Sequence, residues 1–191
     1  MPLALQEHTS YMQTRIILEG ERLSITVRRL CEQLIENHGQ FADSCILGLQ
    51  PRGPQLARRI HQRLQEQTGL SIPYGELDAT FFRDDFRRRE KPLRANTTHV
   101  PFIIEDKRVI LIDDVLYTGR SVRAALDAMT AFGRPREVEL LVLINRLYSR
   151  ELPIEPTYVG SHVNTISSQK VLVEWQDEPA GENRVSLIEN A

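Results

Sequence analysis

The feature that most constrains the fold is a hydrophobic run that ends in two adjacent acidic residues. Segment 109–121 has the sequence VILIDDVLYTGRS. Four successive apolar residues are typical of a strand buried on both faces, and the Thr-Gly pair after the acids is typical of a turn that enters a helix. Ligands of open α/β sheets bind at the carboxyl ends of the strands. The segment therefore predicts an α/β fold with a ligand site at this turn.

The residue types in this turn indicate which ligand it binds. Free N–H groups at a helix N-terminus attract an anion, Thr118 and Ser121 add hydroxyl donors, and Gly119 permits close approach of the backbone to a phosphate. The carboxylates of Asp113 and Asp114 accept hydrogen bonds from a sugar diol. We interpret the turn as a ribose-phosphate site; the alternative is an Asp-Asp turn that only caps a helix.

The rest of the chain alternates strand-like and helix-like segments. We predict helices over 24–38, with Ser24 as N-cap and Ile25 on the apolar face, over 54–68 and over 121–132. Strands are predicted at 15–18, 45–49, 74–82, 108–112, 137–144, 157–159, 170–175 and 184–188. The acidic tail after Val173 is expected to be a solvated face or an edge strand. This alternation predicts one α/β domain, residues 1–191, with a mainly parallel central sheet.

Composition narrows the class of protein. The 191 residues carry 24 Lys and Arg against 26 Asp and Glu, and 41% are hydrophobic, as in a soluble globular enzyme. We expect a cytoplasmic protein without a membrane partner, because no apolar run approaches about 18 residues. Cys31 and Cys45 are expected to be buried and reduced, without a metal. Only three of the 24 cationic residues are lysines, and the others are arginines, whose forked guanidinium suits an anionic ligand. The alternative is a general preference of the organism for arginine.

A polar segment in the middle of the chain cannot lie in a core. Residues 83–94 hold six cations and three acids and show no apolar periodicity. A loop of this length is usually mobile or functional. We expect a mobile loop over about 83–100; the alternative is an ordinary solvated loop.

Together these motifs resemble the type I phosphoribosyltransferase family. The resemblance implies a mainly parallel sheet flanked by helices, with a small hood built from the two termini, and phosphoribosyl pyrophosphate as substrate. It also implies that Asp113 and Asp114 hold the ribose hydroxyls, that the 117–121 backbone holds the 5-phosphate, and that Arg52 faces the pyrophosphate. The implied catalytic residues are Asp113, Asp114 and Arg52, and the implied substrate-binding residues are Pro51, Arg52, Gly53, Asp113, Asp114, Val115, Leu116, Tyr117, Thr118, Gly119, Arg120, Ser121, Arg146 and Val171. The implied lid residues are Arg83, Arg87, Arg88, Arg89 and Lys91.

Within this family, the segments YGELDATFFRDD, RELPI, YVG and QKV resemble the bifunctional pyrimidine-operon attenuation regulators and uracil phosphoribosyltransferases. Tyr117 stands where 6-oxopurine enzymes typically carry an acid, which argues against a purine. The implied reaction converts uracil and phosphoribosyl pyrophosphate to UMP and pyrophosphate, with Mg2+ carried mainly by the pyrophosphate and ribose oxygens. Arg146 and Val171 are the candidates beside the base. The family also implies a homodimer or tetramer.

The second activity that the resemblance implies is binding of pyrimidine-operon mRNA, controlled by UMP or UTP. Arg28 and Arg29 on the first helix are the candidate RNA contacts. Glu32 and Ile25, however, stand where relatives carry a histidine and an arginine, and segment 144–150 departs from the usual aspartate-arginine-glycine-histidine pattern. Two alternatives therefore stay open: a nucleotide-sensing attenuator with little transferase activity, and a transferase that does not bind RNA.

Overall fold

In a computed structural model, residues 14–84, 96–166, 168–176 and 183–189 are described. Eight strands and three α-helices alternate along these residues, with 3-10 turns at Thr80–Phe82 and Thr130–Phe132. The strands are β1 (Thr14–Glu19), β2 (Ser44–Leu49), β3 (Tyr74–Leu77), β4 (Arg108–Leu116), β5 (Glu137–Leu147), β6 (Tyr158–Asn164), β7 (Gln169–Glu174) and β8 (Arg184–Glu189). The helices are α1 (Gly20–His38), α2 (Gly53–Thr68) and α3 (Arg120–Met129).

The central sheet has five strands in the order β3-β2-β4-β5-β6, and every neighbouring pair in it is parallel. The chain runs from β2 outward to β3 and then returns to β4 on the other side of β2. The strand order therefore reverses between β2 and β4. In a sheet of this kind, that reversal opens a crevice at the carboxyl ends of the two strands, where ligands bind.

Alternation along the central strands builds two apolar layers. Ile46, Ile110 and Ile112 belong to the core shared with α1 and α2. Leu47 and Leu111 belong to the core that includes the buried face of α3. Because both faces are covered by helices, the strands carry continuous apolar runs, as the sequence predicted.

The remaining three strands form the hood. They make an antiparallel sheet in the order β1-β8-β7, so the two ends of the described chain meet there. The prediction of a solvated or edge segment at the C-terminus was wrong for β8, which is the central strand of this sheet. Val185 and Ser186 are buried because β8 has neighbours on both sides.

Several predicted boundaries differ from the structure. α1 begins at Gly20, with Glu19 rather than Ser24 as its N-cap. Ile25 is 44% exposed, because it lies about 200° around the helix from Leu23, which heads the buried stripe. β3 ends at Leu77, because the Asp78 carboxylate accepts a hydrogen bond from the Thr80 N–H (2.8 Å) and turns the chain.

β4 and β5 are longer than predicted. β4 extends to Leu116 and β5 to Leu147, so the acid pair and Arg146 lie within strands. Pairing of Val115 with Ile144 and of Leu147 with Asn164 extends these strands beyond their apolar runs.

Among the described residues, no helix is both long and apolar enough to cross a membrane.

Candidate active site

The turn after β2 lies directly against β4. Gly53, the first residue of α2, packs so closely on β4 that a Cβ built there would overlap the Ile112 carbonyl oxygen and lie 3.2 Å from the Asp113 Cα. Only glycine permits this approach. The preceding Gln50–Pro51 peptide bond is cis. Residues 51–53 and the acid pair are thus brought together at the switch point.

Asp114 of the acid pair is buried, and Asp113 is half-buried. Asp114 is 5% exposed, and its N–H donates to the Asp113 Oδ1 at 2.9 Å. Burial raises the pKa of both carboxyls, and the negative charge on Asp114 raises that of Asp113 further. The Arg52 guanidinium opposes both shifts. Two acids held in this way become fully ionised most easily when a cationic or hydroxyl-rich ligand faces them.

The loop between β4 and α3 has the geometry expected of a phosphate cradle. Gly119 has φ +90°, a left-handed conformation that favours glycine, and it immediately precedes α3. The Thr118 carbonyl accepts hydrogen bonds from the Glu151 N–H (3.1 Å) and the Leu152 N–H (3.2 Å). The Arg83 Nη1 donates to the Ser121 Oγ at 2.5 Å. A cationic side chain therefore already lies beside the hydroxyl and the helix N-terminus.

Arg150 fixes the start of this loop. Its Nη1 donates to the Tyr117 carbonyl oxygen, and its Nη2 donates to the Asn145 Oδ1 at 2.6 Å. One guanidinium thus ties the loop to β5. No local sequence pattern predicted this contact. The RELPI segment that contains Arg150 indicated the family but not this role.

Part of the cavity wall is an arginine stacked on a tyrosine. The Arg146 guanidinium lies 3.8 Å from the centroid of the Tyr117 ring. It is 5% exposed and is held by the Thr165 Oγ1 (2.8 Å) and the Ile166 carbonyl (3.3 Å). Burial lowers the pKa of Arg146. A flat, cationic and partly apolar wall results.

These elements enclose a cavity of about 420 Å³. It is lined by Arg52, Arg83, Asp113, Asp114, Val115, Leu116, Tyr117, Thr118, Gly119, Ser121, Val122, Arg146, Lys170 and Val171. Sequence analysis did not identify Val122 or Lys170. Lys170 precedes Val171 in β7, and no local pattern indicates that the hood brings it to the cavity.

Three other predicted site residues are next to the cavity but do not line it. Pro51, Gly53 and Arg120 are not among the lining residues. The Arg120 side chain instead forms ion pairs with Asp84 and with Glu151, the latter at 2.6 Å.

Of the predicted lid residues, the structure describes Arg83. Arg87, Arg88, Arg89 and Lys91 lie outside the described residues. The last part of the predicted mobile loop, by contrast, is held against β3. The His99 N–H and carbonyl each hydrogen-bond to the Glu76 backbone at 2.8 Å.

The chain matches the sequence pattern of the phosphoribosyl transferase domain over residues 13–178. It belongs to this family. It is 43% identical over 169 residues to a protein of Desulfosudis oleivorans named Bifunctional protein PyrR, covering 88% of this chain and 93% of that protein. It is also 43% identical over 178 residues to the Bifunctional protein PyrR of Streptococcus pyogenes, covering 93% and 99% of the two chains. The family predicted from the sequence is confirmed.

Solved structures match the fold. The hypoxanthine phosphoribosyltransferase of Trypanosoma cruzi superposes with a TM-score of 0.67 at 10% identity, covering 93% of this chain and 97% of that one. A purine phosphoribosyltransferase of Pyrococcus horikoshii gives 0.57 at 23% identity, covering 76% and 85%. The predicted fold of the type I phosphoribosyltransferases is therefore confirmed.

The two predicted RNA contacts differ in their surroundings. Arg28 is exposed on α1. The Arg29 Nη2 donates to the carbonyl oxygens of Gly160 and Val159 in β6, the latter at 3.4 Å. The Glu32 Oε1 accepts a hydrogen bond from the Gln67 Nε2 at 3.0 Å. Arg29 is therefore partly engaged within the fold, whereas Arg28 is exposed, and both keep their positive charge.

Proposed function

We propose that this protein is a uracil phosphoribosyltransferase, which forms UMP and pyrophosphate from uracil and phosphoribosyl pyrophosphate in the 420 Å³ cavity. The observation that carries the proposal is the position of the acid pair. Asp113 and Asp114 lie at the switch point, with the 51–53 turn on one side and the loop before α3 on the other. The acid pair thus matches the ribose hydroxyls of the substrate, the 51–53 turn matches its pyrophosphate, and the loop before α3 matches its 5-phosphate.

Each element has a distinct role in the proposed reaction. Asp113 and Asp114 accept hydrogen bonds from the ribose 2- and 3-hydroxyls, and the 117–121 backbone holds the 5-phosphate. Arg52 and Arg83 neutralise charge that develops on the leaving pyrophosphate. Catalysis then rests on positioning and on electrostatic stabilisation of the leaving group.

Mg2+ is proposed to enter with the substrate. Among the described residues, no group of three or more His, Cys, Asp and Glu side chains could hold a metal ion. The pyrophosphate and ribose oxygens are hard ligands of the kind that Mg2+ prefers, and its charge would help to neutralise the pyrophosphate. Asp113 and Asp114 can contribute oxygen atoms beside it.

Uracil is proposed to bind against Tyr117, Arg146 and Val171. Residue 117 is a tyrosine, so it offers no carboxylate to a purine proton, and its ring stacks on the Arg146 guanidinium. The curated relatives at 43% identity are named Bifunctional protein PyrR rather than after a purine enzyme. Both observations favour a pyrimidine base.

Conversion of radiolabelled uracil to UMP tests the proposal. The wild type should turn over with phosphoribosyl pyrophosphate and Mg2+, and the double variant Asp113→Asn/Asp114→Asn should lose at least about 100-fold in kcat/KM. Arg136→Gln, which alters an exposed pair with Asp43 at 3.8 Å, is the matched surface control and should keep full turnover. Unchanged turnover in the double variant would exclude this cavity as the active site.

We also propose that UMP or UTP in this cavity promotes binding of pyrimidine-operon mRNA, so that the protein regulates pyrimidine biosynthesis genes. The support is the bifunctional name of the relatives and the exposed Arg28. Arg28→Ala should weaken filter binding of a leader RNA and reduce its salt slope by about one. Equal RNA affinities for the wild type and the variant would show that α1 is not part of the RNA-binding surface.

A transferase without RNA binding is the alternative that Glu32 and the engaged Arg29 favour. RNA affinity that is weak and independent of UMP would support it. We further propose that residues 1–191 form a single domain. The protein is proposed to assemble as a homodimer or tetramer and to be located in the cytoplasm. Light scattering coupled to gel filtration tests the assembly.

A further inference from the structure

Arg146 is a buried cation without an acidic partner in the described part of the chain. The groups that hold it are the Thr165 Oγ1, the Ile166 carbonyl oxygen and the face of the Tyr117 ring. None of them is a carboxylate. Arginine is almost never fully buried unless it is paired, because an uncompensated charge is costly away from water. A ligand is therefore the natural source of the missing acceptor.

One nitrogen of this guanidinium is left for a ligand. Nε donates to Thr165 and Nη2 donates to Ile166, whereas Nη1 has no acceptor among the described residues. Arg146 also lines the cavity of the proposed active site. A guanidinium carries donors only, so it can meet a carbonyl oxygen but not an amino group. A single nitrogen suits one carbonyl oxygen better than a carboxylate, which a pair of nitrogens holds.

The register of the sheet indicates which part of a bound nucleotide reaches Arg146. Asp113 pairs with Val142 of β5, and Arg146 lies four residues beyond Val142 in the same strand. At about 3.3 Å per residue, Arg146 is about 13 Å further along the sheet than Asp113. When the acid pair holds the ribose, the 2-oxo group of uracil lies beside the sugar bond and the 4-oxo group lies at the far edge of the ring. The 4-oxo group is therefore the one that Arg146 can meet.

From these observations we propose that Arg146 selects the base, because its Nη1 donates to the 4-oxo oxygen of uracil. Cytosine carries an amino group at that position, so it would place donor against donor and leave the buried guanidinium without an acceptor. UMP and CMP differ at the same ring edge, so the contact separates them as well. The inference rests on the proposed function of the cavity, to which it adds a residue that determines specificity.

Equilibrium binding of UMP and CMP tests this contact without relying on turnover. Titration calorimetry of the wild type should give a Kd for UMP that is roughly 10- to 100-fold lower than that for CMP. Arg146→Met keeps an unbranched stem without donors, so it should weaken UMP binding about 10-fold and make the two Kd values nearly equal. Arg136→Met makes the same change at an exposed arginine that pairs with Asp43 at 3.8 Å, and it should bind like the wild type.

Arg146→Lys separates a role in selection from a role in packing. Lysine keeps the positive charge and carries donors only, so this variant should bind UMP more tightly than CMP although both bind more weakly than in the wild type. A purely structural arginine would weaken both nucleotides equally in either variant. Equal UMP and CMP affinities in the wild type or in Arg146→Lys would overturn the proposal, and so would an unchanged affinity ratio in Arg146→Met.

UMP formation, measured on the same preparations, distinguishes this inference from the transferase proposal. A wild type that forms UMP, together with an unchanged affinity ratio in Arg146→Met, would overturn the role of Arg146 alone. A wild type that forms no nucleotide but loses its UMP preference in Arg146→Met would overturn the transferase and support the role of Arg146. Orotidine 5-monophosphate that binds more tightly than UMP, and only when Arg146 is present, would show that the arginine meets a carboxylate instead.

Discussion

The guanidinium of Arg146, in β5, stacks at 3.8 Å on the ring of Tyr117, the residue that follows β4, and α3 separates the two in the sequence. Both residues line the cavity that the acid pair also lines. Thr165 and Ile166 hold the arginine in place from behind. The tyrosine is 38% exposed, so its ring is available to a ligand.

The first prediction concerns this stacked pair. Tyr117→Leu removes the aromatic face and should raise KM for uracil by roughly 10-fold, a loss of about 1.4 kcal/mol of binding. Tyr117→Phe keeps the face and should preserve KM. Steady-state kinetics with varied uracil measure both. Equal KM values for the leucine and phenylalanine variants would mean that the ring does not contact the base.

The second prediction concerns pH and stability. Burial raises the folded-state pKa of Asp113 and Asp114, so the folded protein binds protons more tightly than the unfolded chain does. Stability from the pair is therefore fully present below the ordinary pKa of 3.8 and falls as pH rises through the raised pKa. Asp113→Asn/Asp114→Asn should raise the unfolding midpoint at pH 7 by several degrees, about 2–4 °C per kcal/mol.

This stabilisation should disappear near pH 4, where the wild-type carboxyls are protonated. Thermal unfolding of both proteins between pH 4 and pH 8 provides the test. A double variant that is less stable than the wild type at pH 7 would show that the carboxylates are stabilised in the fold, contrary to the predicted shifts.

The third prediction concerns Gly53. An added Cβ would overlap the Ile112 carbonyl oxygen, so Gly53→Ala must push α2 away from β4. We expect a loss of about 1–3 kcal/mol in stability and a clear fall in turnover, because Arg52 moves with the helix. Gly69→Ala is the control. Its φ of +69° costs about 1 kcal/mol, but among the described residues no non-neighbouring atom lies within 4 Å of a Cβ built there, and turnover should stay intact.

Equal turnover in the two glycine variants would show that close contact between the 51–53 turn and β4 is not needed for activity. Chemical unfolding and UMP formation, measured on the same preparations, separate the stability effect from the catalytic one.

The fourth prediction concerns Arg150. Arg150→Gln removes the connection between the Tyr117 carbonyl and Asn145, so the loop amides lose their fixed direction. We expect kcat to fall on the order of 10- to 100-fold. Arg150→Lys should not restore it, because one ammonium cannot reproduce a forked contact. Unchanged kcat in Arg150→Gln would show that the loop holds its shape without the arginine.

Local signals predicted much of the fold and the acid pair. The apolar runs of β2, β4 and β5 are continuous because both sheet faces are covered, and Pro54 and Gly69 mark the two ends of α2. Asp113 and Asp114 follow such a run directly, which is why their position at the crevice could be predicted. The place of residues 51–53 in the site was expected from the family resemblance instead.

Long-range contacts account for what was missed. Arg150 and Lys170 reach the site through the end of β5 and through the hood, and neither pathway leaves a local pattern. The true ends of β4 and β5 depend on pairing between strands rather than on hydrophobicity. Arg120 satisfies the loop pattern, but its side chain pairs with Asp84 and Glu151 instead.

A competition assay tests the central claim most directly. The purified protein would receive phosphoribosyl pyrophosphate, Mg2+ and equal concentrations of uracil, hypoxanthine and guanine, and the nucleotide products would be separated and quantified. The site described above predicts UMP as the product, formed at the expense of uracil alone. IMP or GMP as the main product would contradict the pyrimidine assignment, and the absence of any nucleotide would contradict the transferase itself.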